Sequence, residues 1–306
     1  MISRPGGVCV RVPATSANLG PGFDCLGLAL DWWNEVEFRL EGDGVRVEVR
    51  GEGAATLPQG RDNLIAVAAL RLFERAGQPA PRGLHIRCNN TIPLGSGLGS
   101  SAAAVLSGLL GANRLLDDPF EMDPILELAT EMEGHPDNAA PALWGGLTAA
   151  LKTPGGVICR RIAVPALALA VATPQFDLPT HAARAALPGQ VPLADAVFNL
   201  SCTTLVVEAL RSGDLDLLAQ VMDDRLHQPY RLPLIPGAQA ARQAALDAGA
   251  VACVLSGAGP SLLAVARGDA QPLAEAMTAA FRAAGLAARA FTPSISPIGA
   301  QVASSR

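Results

Sequence analysis

Apolar and polar residues follow one another along the chain in two patterns, one typical of strands and one typical of helices. Strand-type patterns lie at 8–12, 36–40, 45–49, 84–88, 167–173, 251–255, 262–266 and 286–291. Helix-type patterns lie at 63–75, 101–116, 124–133, 194–211, 214–224, 238–248 and 271–284. This mixture predicts an α+β fold.

Turn-forming residues punctuate this succession of elements. Asp62 is the candidate N-cap of the first helix, and Gly77 is its candidate stop. A Pro-Gly-Gly break at 154–156 divides the chain near its middle. Because 306 residues exceed one average domain, we expect two lobes, 1–155 and 156–306.

The composition indicates a protein with a large core and no nucleic-acid partner. Hydrophobic residues make up 50% of the chain, and its net charge is −5 with no basic run. The longest apolar stretch, 162–172, contains Pro165 and is too short to span a bilayer. The first six residues lack the apolar segment of a signal peptide, so we expect none and no membrane partner.

The cysteines are scattered, with no C-x-x-C pair and no clustering with histidine. This usage is typical of reduced, mostly buried cysteines in a cytoplasmic protein. They are Cys9, Cys25, Cys88, Cys159, Cys202 and Cys253.

The most informative segment is 93–103, a proline followed by glycines, two serines and an alanine-rich helix start. Glycines leave backbone N–H groups uncovered, and a helix N-terminus adds unpaired donors with a partial positive charge. The pattern predicts a phosphate-binding loop, with an ordinary glycine-rich turn as the alternative. Its residues are Pro93, Leu94, Gly95, Ser96, Gly97, Leu98, Gly99, Ser100, Ser101, Ala102 and Ala103.

This loop differs from the commoner nucleotide-binding motifs. No lysine follows its glycines, as a Walker loop requires, and Lys152 is the single lysine of the chain. The third glycine also falls one position early for the dinucleotide fingerprint. The paired hydroxyls of Ser100 and Ser101 suit a nucleotide triphosphate carrying Mg²⁺, which prefers oxygen ligands.

Three further segments carry candidate chemistry, each with an ordinary structural alternative. Segment 13–27 places Asn18 and Asp24 among small residues, which indicates either a ligand pocket or locally capped turns. Segment 127–138 offers several carboxylates and one histidine, which suits one Mg²⁺ ligand better than a zinc site. Segment 256–261 is a glycine turn between two strands, either a hairpin or a second wall of the phosphate site.

Two arginines stand in polar surroundings, Arg184 and Arg231. Exposed arginines usually carry no specific role. A substrate carboxylate, however, is best held by the two parallel donors of a guanidinium.

These segments together resemble the GHMP small-molecule kinases, which include galactokinase and the kinases of homoserine, mevalonate and phosphomevalonate. The three family motifs stand in order at 13–27, 93–103 and 256–261, and the resemblance covers essentially the whole chain. It implies a ribosomal-S5-like N-terminal lobe and an α+β C-terminal lobe, with ATP and substrate in the cleft between them.

Within the family, segments 17–24, 135–138 and 229–231 are most similar to the members that phosphorylate homoserine. The resemblance implies ATP-dependent phosphorylation of the side-chain hydroxyl of L-homoserine, a step of threonine biosynthesis. It implies Mg²⁺ on Ser101 and Glu127, adenine near Asn63, and Gly257 with Gly259 beside the phosphates. The implied substrate-binding residues are Asn18, Asp24, His135, Asp137, Asn138, Thr180, Arg184 and Arg231.

The resemblance also bears on catalysis, for which Asn138 and Arg184 are the candidates. Mevalonate-type members use an aspartate base at the position that Asn138 holds here, so positioning alone would carry the reaction. The sequence leaves open a kinase of another alcohol, such as a mevalonate or a diphosphocytidyl-methylerythritol, and a non-catalytic nucleotide-binding relative. It also leaves open a homodimer.

Overall fold

The chain folds into two sheets covered by helices, and the structure, a computed structural model, describes residues 7–304. The strands are β1 (Val8–Ala17), β2 (Leu26–Arg39), β3 (Gly44–Gly51), β4 (Gly83–Asn90), β5 (Leu147–Thr153), β6 (Gly156–Ile162), β7 (Ala168–Pro174), β8 (Ala252–Leu255), β9 (Leu262–Ala266), β10 (Ala288–Phe291) and β11 (Gln301–Ser304). The helices are α1 (Leu64–Arg75), α2 (Ser100–Leu115), α3 (Met122–Glu133), α4 (Ala139–Trp144), α5 (Thr180–Ala185), α6 (Leu193–Ser212), α7 (Leu215–Val221), α8 (Gln228–Arg231), α9 (Ala238–Asp247) and α10 (Gln271–Ala283). The α+β prediction is confirmed.

The larger sheet has the strand order β11-β1-β2-β4-β3, and β5 and β6 extend it from β2. Its pairs are antiparallel except β3–β4, whose connection contains α1. In β1, Val8, Val10 and Val12 are buried while Arg11 is exposed, which is the alternation expected of a strand with one covered face. Helices α1 and α2 pack together and build the core of this lobe.

The smaller sheet has the order β10-β7-β9-β8, with α9 and α10 packed against it. All five residues of β9 are buried. Alanines dominate this core, which lets the helices approach the strands closely, and Met277 and Phe281 fill the remaining volume.

The expected lobe boundary at 155 falls inside a hairpin. Strand β6 pairs with β5 along its whole length, and the C-terminal strand β11 pairs with β1. Segment 154–156 is therefore a hairpin turn, because the same turn-forming residues serve a hairpin and a linker equally well. We propose that the lobes change between Ile162 and Ala168, and that β11 returns to the first lobe.

Several local predictions are refined by the structure. Asn63, rather than Asp62, caps α1, since its Oδ1 accepts from the Ile65 N–H at 3.0 Å. Gly77 follows the end of that helix with φ +65°, as expected of a helix stop. Helices α4, α5 and α8 and strands β5, β6 and β11 were not predicted.

Helix α6 is longer than the apolar stretch that the sequence pattern singled out. It is the one helix in residues 7–304 whose length and composition would allow it to cross a membrane, with a mean hydropathy of 1.4. Core helices of soluble proteins meet the same criterion, and the buried Asn199 of α6 bonds to Pro21 and Asp224. The expectation about a signal peptide concerns residues 1–6, which lie outside the described residues.

Candidate active site

A cavity of about 290 Å³ lies where the turn after β1, the start of α2, the loop before α4 and the β8–β9 turn converge. The turn after β1 holds Asn18 and Asp24 at φ +69° and +56°. Asn18 donates from Nδ2 to the Gly257 carbonyl at 2.8 Å, and its Oδ1 accepts from the Asp24 N–H at 3.0 Å. One amide thereby joins the two glycine turns of the site.

The 93–103 loop depends on its glycines. Gly95, Gly97 and Gly99 have φ of +59°, +77° and +71°, the left-handed region that favours glycine. A Cβ on Gly97 would lie 2.2 Å from the Ser256 carbonyl oxygen, and one on Gly99 would lie 2.0 Å from Thr15 Oγ1. The loop is therefore pressed against both lobes with its backbone bare.

Helix α2 begins directly after this loop. Its N-cap is Gly99, and no side chain caps the first turn. Uncapped N–H groups at the start of a sixteen-residue helix, facing a cavity and preceded by glycines, form a fitting cradle for phosphate oxygens.

A carboxylate stands beside the helix start, and it is not the predicted one. Ser101 Oγ donates to Glu133 Oε1 at 2.6 Å, and both residues line the cavity. Burial raises the pKa of Glu133, while the hydrogen bond from Ser101 opposes that shift. A cation at this carboxylate would offset the cost of its burial, so a hydroxyl and a carboxylate here fit Mg²⁺.

The prediction of Glu127 as the metal ligand is wrong in this geometry. Glu127 precedes Glu133 by six residues on α3, about 9 Å along the helix axis. Its carboxylate lies against Gly156, where a Cβ would approach Oε1 to 2.1 Å. The sequence interpretation preferred a ligand within the helix, but the helix ends at Glu133, where the chain turns into the cavity.

Acidic groups gather on the opposite side of the cavity. Ligand atoms of Asp24, His135 and Asp137 all lie within 4.8 Å of one another. His135 Nδ1 is 2.5 Å from Asp137 Oδ1. Burial by itself lowers the pKa of His135, but the Asp137 hydrogen bond and the charges of Asp137 and Asp24 outweigh it, and the net shift is upward. This cluster favours a cationic group of a ligand.

Two arginines face the same cluster in different states. Arg184 forms two parallel bonds to the Asp24 carboxylate, at 2.8 and 2.9 Å. Arg231 is only 2% exposed, and no carboxylate in residues 7–304 forms an ion pair with it. Its contacts include the carbonyls of Ala183 and Gly257, both at 3.3 Å, and the face of Phe23 at 5.0 Å. A buried guanidinium without a counterion is a strong anion-binding group.

Asn138 lies between the acidic cluster and the phosphate loop. Its Oδ1 accepts from Thr15 Oγ1 at 2.8 Å, so the Nδ2 donors are the part of the amide left to face the cavity. Asn138 can therefore donate to a substrate oxygen.

A second, larger cavity of about 870 Å³ adjoins the first and shares Gly95 and Ser96 with it. Its walls come from the start of the phosphate loop, from the end of β7 with Phe176, and from β10 with Arg289. A ligand with its phosphates on the loop can extend into this space.

Comparison with known proteins decides the family. The GHMP kinases N terminal domain matches residues 63–146, and the GHMP kinases C terminal domain matches 206–283. Homoserine kinase from Moorella thermoacetica is 47% identical over 278 residues, which are 90% of this chain and 93% of that protein. Homoserine kinase from Synechococcus sp. (strain WH7803) is also 47% identical, over 92% of this chain and 91% of its own length.

The crystal structure of homoserine kinase from Cytophaga hutchinsonii superposes with a TM-score of 0.88 at 34% identity, covering 98% of each chain. The chain belongs to the homoserine kinases of the GHMP family. The two-lobed GHMP kinase fold and the kinase class predicted from the motifs are thereby confirmed.

Most of the residues predicted for this GHMP kinase site come together in one place. The first cavity is lined by Asn18, Asp24, Gly95, Ser96, Gly97, Gly99, Ser100, Ser101, His135, Asp137, Asn138, Thr180, Arg184, Arg231, Gly257 and Gly259. These residues span 241 positions of the chain, and no local pattern relates one segment to another. The family motifs did.

The remaining predicted residues of the GHMP kinase site lie elsewhere. Pro93 and Leu94 line the second cavity, and Leu98, Ala102 and Ala103 are buried core residues. Asn63 lines neither cavity within residues 7–304, because its amide caps α1 and donates to the Pro58 carbonyl. The cavities add Glu133, Ala258 and the 173–177 segment, of which only Glu133 had a sequence signal, its place directly before the turn at Gly134.

Proposed function

We propose that this kinase transfers the γ-phosphoryl group of ATP to the side-chain hydroxyl of L-homoserine, forming O-phospho-L-homoserine for threonine biosynthesis. The observation that carries the proposal is the unpaired, buried guanidinium of Arg231 in the same cavity as Asp24 and Asp137. Opposite charges on facing walls suit a zwitterionic amino acid. Mevalonate has no ammonium, so facing carboxylates would disfavour it.

The ends of homoserine have distinct places in this arrangement. The carboxylate takes Arg231 as its partner, joined by Arg184, and the ammonium takes Asp24 and the Asn18 side of the cavity. When the ammonium occupies Asp24, the Arg184 guanidinium is released from part of its present ion pair toward the substrate carboxylate. The Thr180 side of the cavity closes over the substrate.

The triphosphate takes the 93–103 loop and the first turn of α2, and the nucleoside extends into the second cavity beside Phe176. Ser101 and Glu133 are the residues we propose to hold Mg²⁺, with Glu133 replacing Glu127. Bound Mg²⁺ supplies charge neutralisation of the phosphates. The protein groups supply orientation, through backbone N–H donors at fixed positions.

The substrate hydroxyl takes Asn138 as its orienting group. Because Thr15 holds the amide oxygen, Asn138 presents N–H donors and cannot accept the proton of the hydroxyl. We infer that the step proceeds without a general base on Asn138, by alignment with the γ-phosphate, and that the proton leaves to solvent after transfer.

We also propose a cytoplasmic location. Its support is that all six cysteines are free, as expected of a reducing compartment.

A coupled assay of ADP release tests the function directly. We expect turnover with ATP, Mg²⁺ and L-homoserine, and at least about a hundredfold lower kcat/KM with mevalonate, galactose or shikimate, which lack the paired charges. Faster turnover of any of the three would assign the site to another alcohol. No turnover with any alcohol, together with retained nucleotide binding, would make the chain a non-catalytic relative.

A further inference from the structure

Behind the cavity, a buried polar segment precedes Arg231 and is organised by one carboxylate. Asp224 is 4% exposed and accepts four hydrogen bonds, from the N–H groups of Leu226, His227 and Gln228 and from Asn199 Nδ2. These bonds satisfy both of its oxygens. The segment that leads into α8 is therefore fixed by groups outside the substrate cavity.

His227 is the side chain of this segment that reaches the ammonium-binding turn. It is fully buried, and its Nε2 lies 2.8 Å from the Gly20 carbonyl oxygen. A carbonyl oxygen only accepts, so Nε2 carries the proton. The imidazole also stacks on Phe23, with ring centroids 5.1 Å apart and planes 23° from parallel. Gly20 and Phe23 flank the turn that carries Asp24.

The other edge of the same imidazole faces the carboxylate-binding arginine. His227 Nδ1 lies 3.5 Å from Arg231 Nη1, one turn along α8. With the proton on Nε2, Nδ1 presents its lone pair to the guanidinium. Arg231 also lies over Phe23, so the histidine, the phenylalanine and the arginine form one stack.

The charges around the imidazole favour its neutral form. Burial lowers the pKa of His227, and the Arg231 charge lowers it further, while Asp224, the Gly20 hydrogen bond and Asp24 act in the opposite sense. A proton on Nδ1 would place two cations 3.5 Å apart in a buried site. A neutral imidazole instead offers a donor on one side and an acceptor on the other.

We propose that His227 is a positioning residue that sets the separation between the ammonium-binding turn at Asp24 and the carboxylate-binding Arg231. It contacts both arms of the site through opposite edges of one rigid ring and does not itself line the cavity. The two α-substituents of an amino acid sit on one carbon at a fixed distance, so the site needs such a spacer. This inference rests on the proposed homoserine kinase activity.

Three substitutions separate the contributions of the ring. His227→Gln keeps a donor at reach for the Gly20 carbonyl, His227→Asn keeps an amide at the Nδ1 edge beside Arg231, and His227→Phe keeps only the stack. We expect KM for homoserine to rise by about tenfold in the Gln and Asn variants and more in the Phe variant, the scale of losing one hydrogen bond to a charged group. KM for ATP should change by less than about twofold.

An unreactive probe gives a second readout. L-2-aminobutyrate has the ammonium and carboxylate of homoserine without the hydroxyl, and its inhibition constant should rise in parallel with KM for homoserine. His85→Gln is the matched control, because His85 is a buried histidine at Glu41 and Glu48 in the larger sheet, away from the cavity. This variant should leave both constants unchanged.

The outcomes distinguish the inference from the function on which it rests. An inactive wild-type enzyme on homoserine would remove the proposed function. An active wild type whose three His227 variants keep the wild-type inhibition constant, or lose homoserine and ATP affinity equally, would overturn the positioning role. If the Phe variant fails to fold in a thermal scan, the Gln and Asn variants decide the question alone.

Discussion

Ser101 Oγ and Glu133 Oε1 lie 2.6 Å apart, so the first turn of α2 and the last residue of α3 meet at the phosphate loop. A hydroxyl and a carboxylate at that distance can share one hard cation once the hydroxyl proton turns away. Glu127, on the same helix, lies against Gly156 instead. The pair therefore makes the metal assignment testable with two glutamates of one helix.

Substituting Glu133→Gln together with Ser101→Ala should lower magnesium-dependent turnover by about a hundredfold, because several kcal/mol of charge stabilisation are lost. Glu127→Gln is the matched control and should remain close to wild type. Steady-state rates across a magnesium titration measure both. A Glu127→Gln loss as large as that of the double variant would return the metal to the earlier assignment.

Removing either arginine of the carboxylate site should weaken homoserine and spare the nucleotide. Truncating one partner of a buried charge pair costs about 2–5 kcal/mol, so kcat/KM for homoserine should fall by roughly thirtyfold or more in Arg231→Ala. Arg231→Lys should recover little of this, because a single ammonium cannot replace the planar fork. Arg184→Ala should show a loss of the same kind. Equal losses in ATP affinity would indicate that these arginines only maintain the fold.

The absence of a base on Asn138 predicts the direction of two substitutions. Asn138→Asp places a negative charge beside the γ-phosphate and should be slower than wild type. His135→Gln should cost far less than the hundred- to ten-thousandfold typical of a lost general base. Single-turnover rates measure the chemical step in both variants. A faster Asn138→Asp enzyme would show that the site accepts a base after all.

The two histidines of the site should affect stability at opposite ends of the pH range. The folded pKa of His135 is raised, so its stabilising contribution is full below about 6.5 and is lost as the pH rises through the folded value. The folded pKa of His227 is lowered, so its contribution is full above about 6.5 and is lost as the pH falls.

Thermal midpoints measured from pH 5 to 9 test this pair. His135→Gln should flatten the alkaline decline, and His227→Gln should flatten the acidic one. The opposite assignment of the two limbs would mean that the charges around one of these rings differ from those described above.

The glycines of the phosphate loop should resist even alanine. Gly97→Ala and Gly99→Ala should abolish turnover and lower the thermal midpoint, because a Cβ would collide with the Ser256 carbonyl or with Thr15. Gly60→Ala is the control, since no atom lies within 4 Å of a Cβ there and its φ is not in the left-handed region. Wild-type nucleotide affinity in Gly97→Ala would show that the loop tolerates displacement.

The sequence predicted the strands and long helices because their apolar spacing depends on local burial. Hairpin β5–β6 was missed because its strands are partly exposed and its Gly-Gly turn resembles a linker. The cap of α1 was placed one residue early because Asp62 and Asn63 are both good caps, and only the bond to Ile65 distinguishes them.

The site was predictable to the extent that motifs carry it. Asn18, Asp24 and the loop glycines belong to recognisable segments, so their meeting in one cavity followed from the family resemblance. Glu133 could not be preferred over Glu127, because the choice depends on where α3 ends and on which way the chain then turns. His227 had no motif of its own, and its role depends on contacts with Gly20, more than 200 residues away.

The phosphate loop is fastened to both lobes. The Leu98 carbonyl accepts from the Thr15 N–H in the larger sheet, and the Gly97 and Ser96 carbonyls accept from Ser256 Oγ and the Ser261 N–H of the smaller sheet's hairpin. A clamshell motion of the lobes would tear these bonds and the nucleotide cradle with them. Substrate entry and product exit must therefore occur through local movements at the rim, while the seam between the lobes stays shut throughout the cycle.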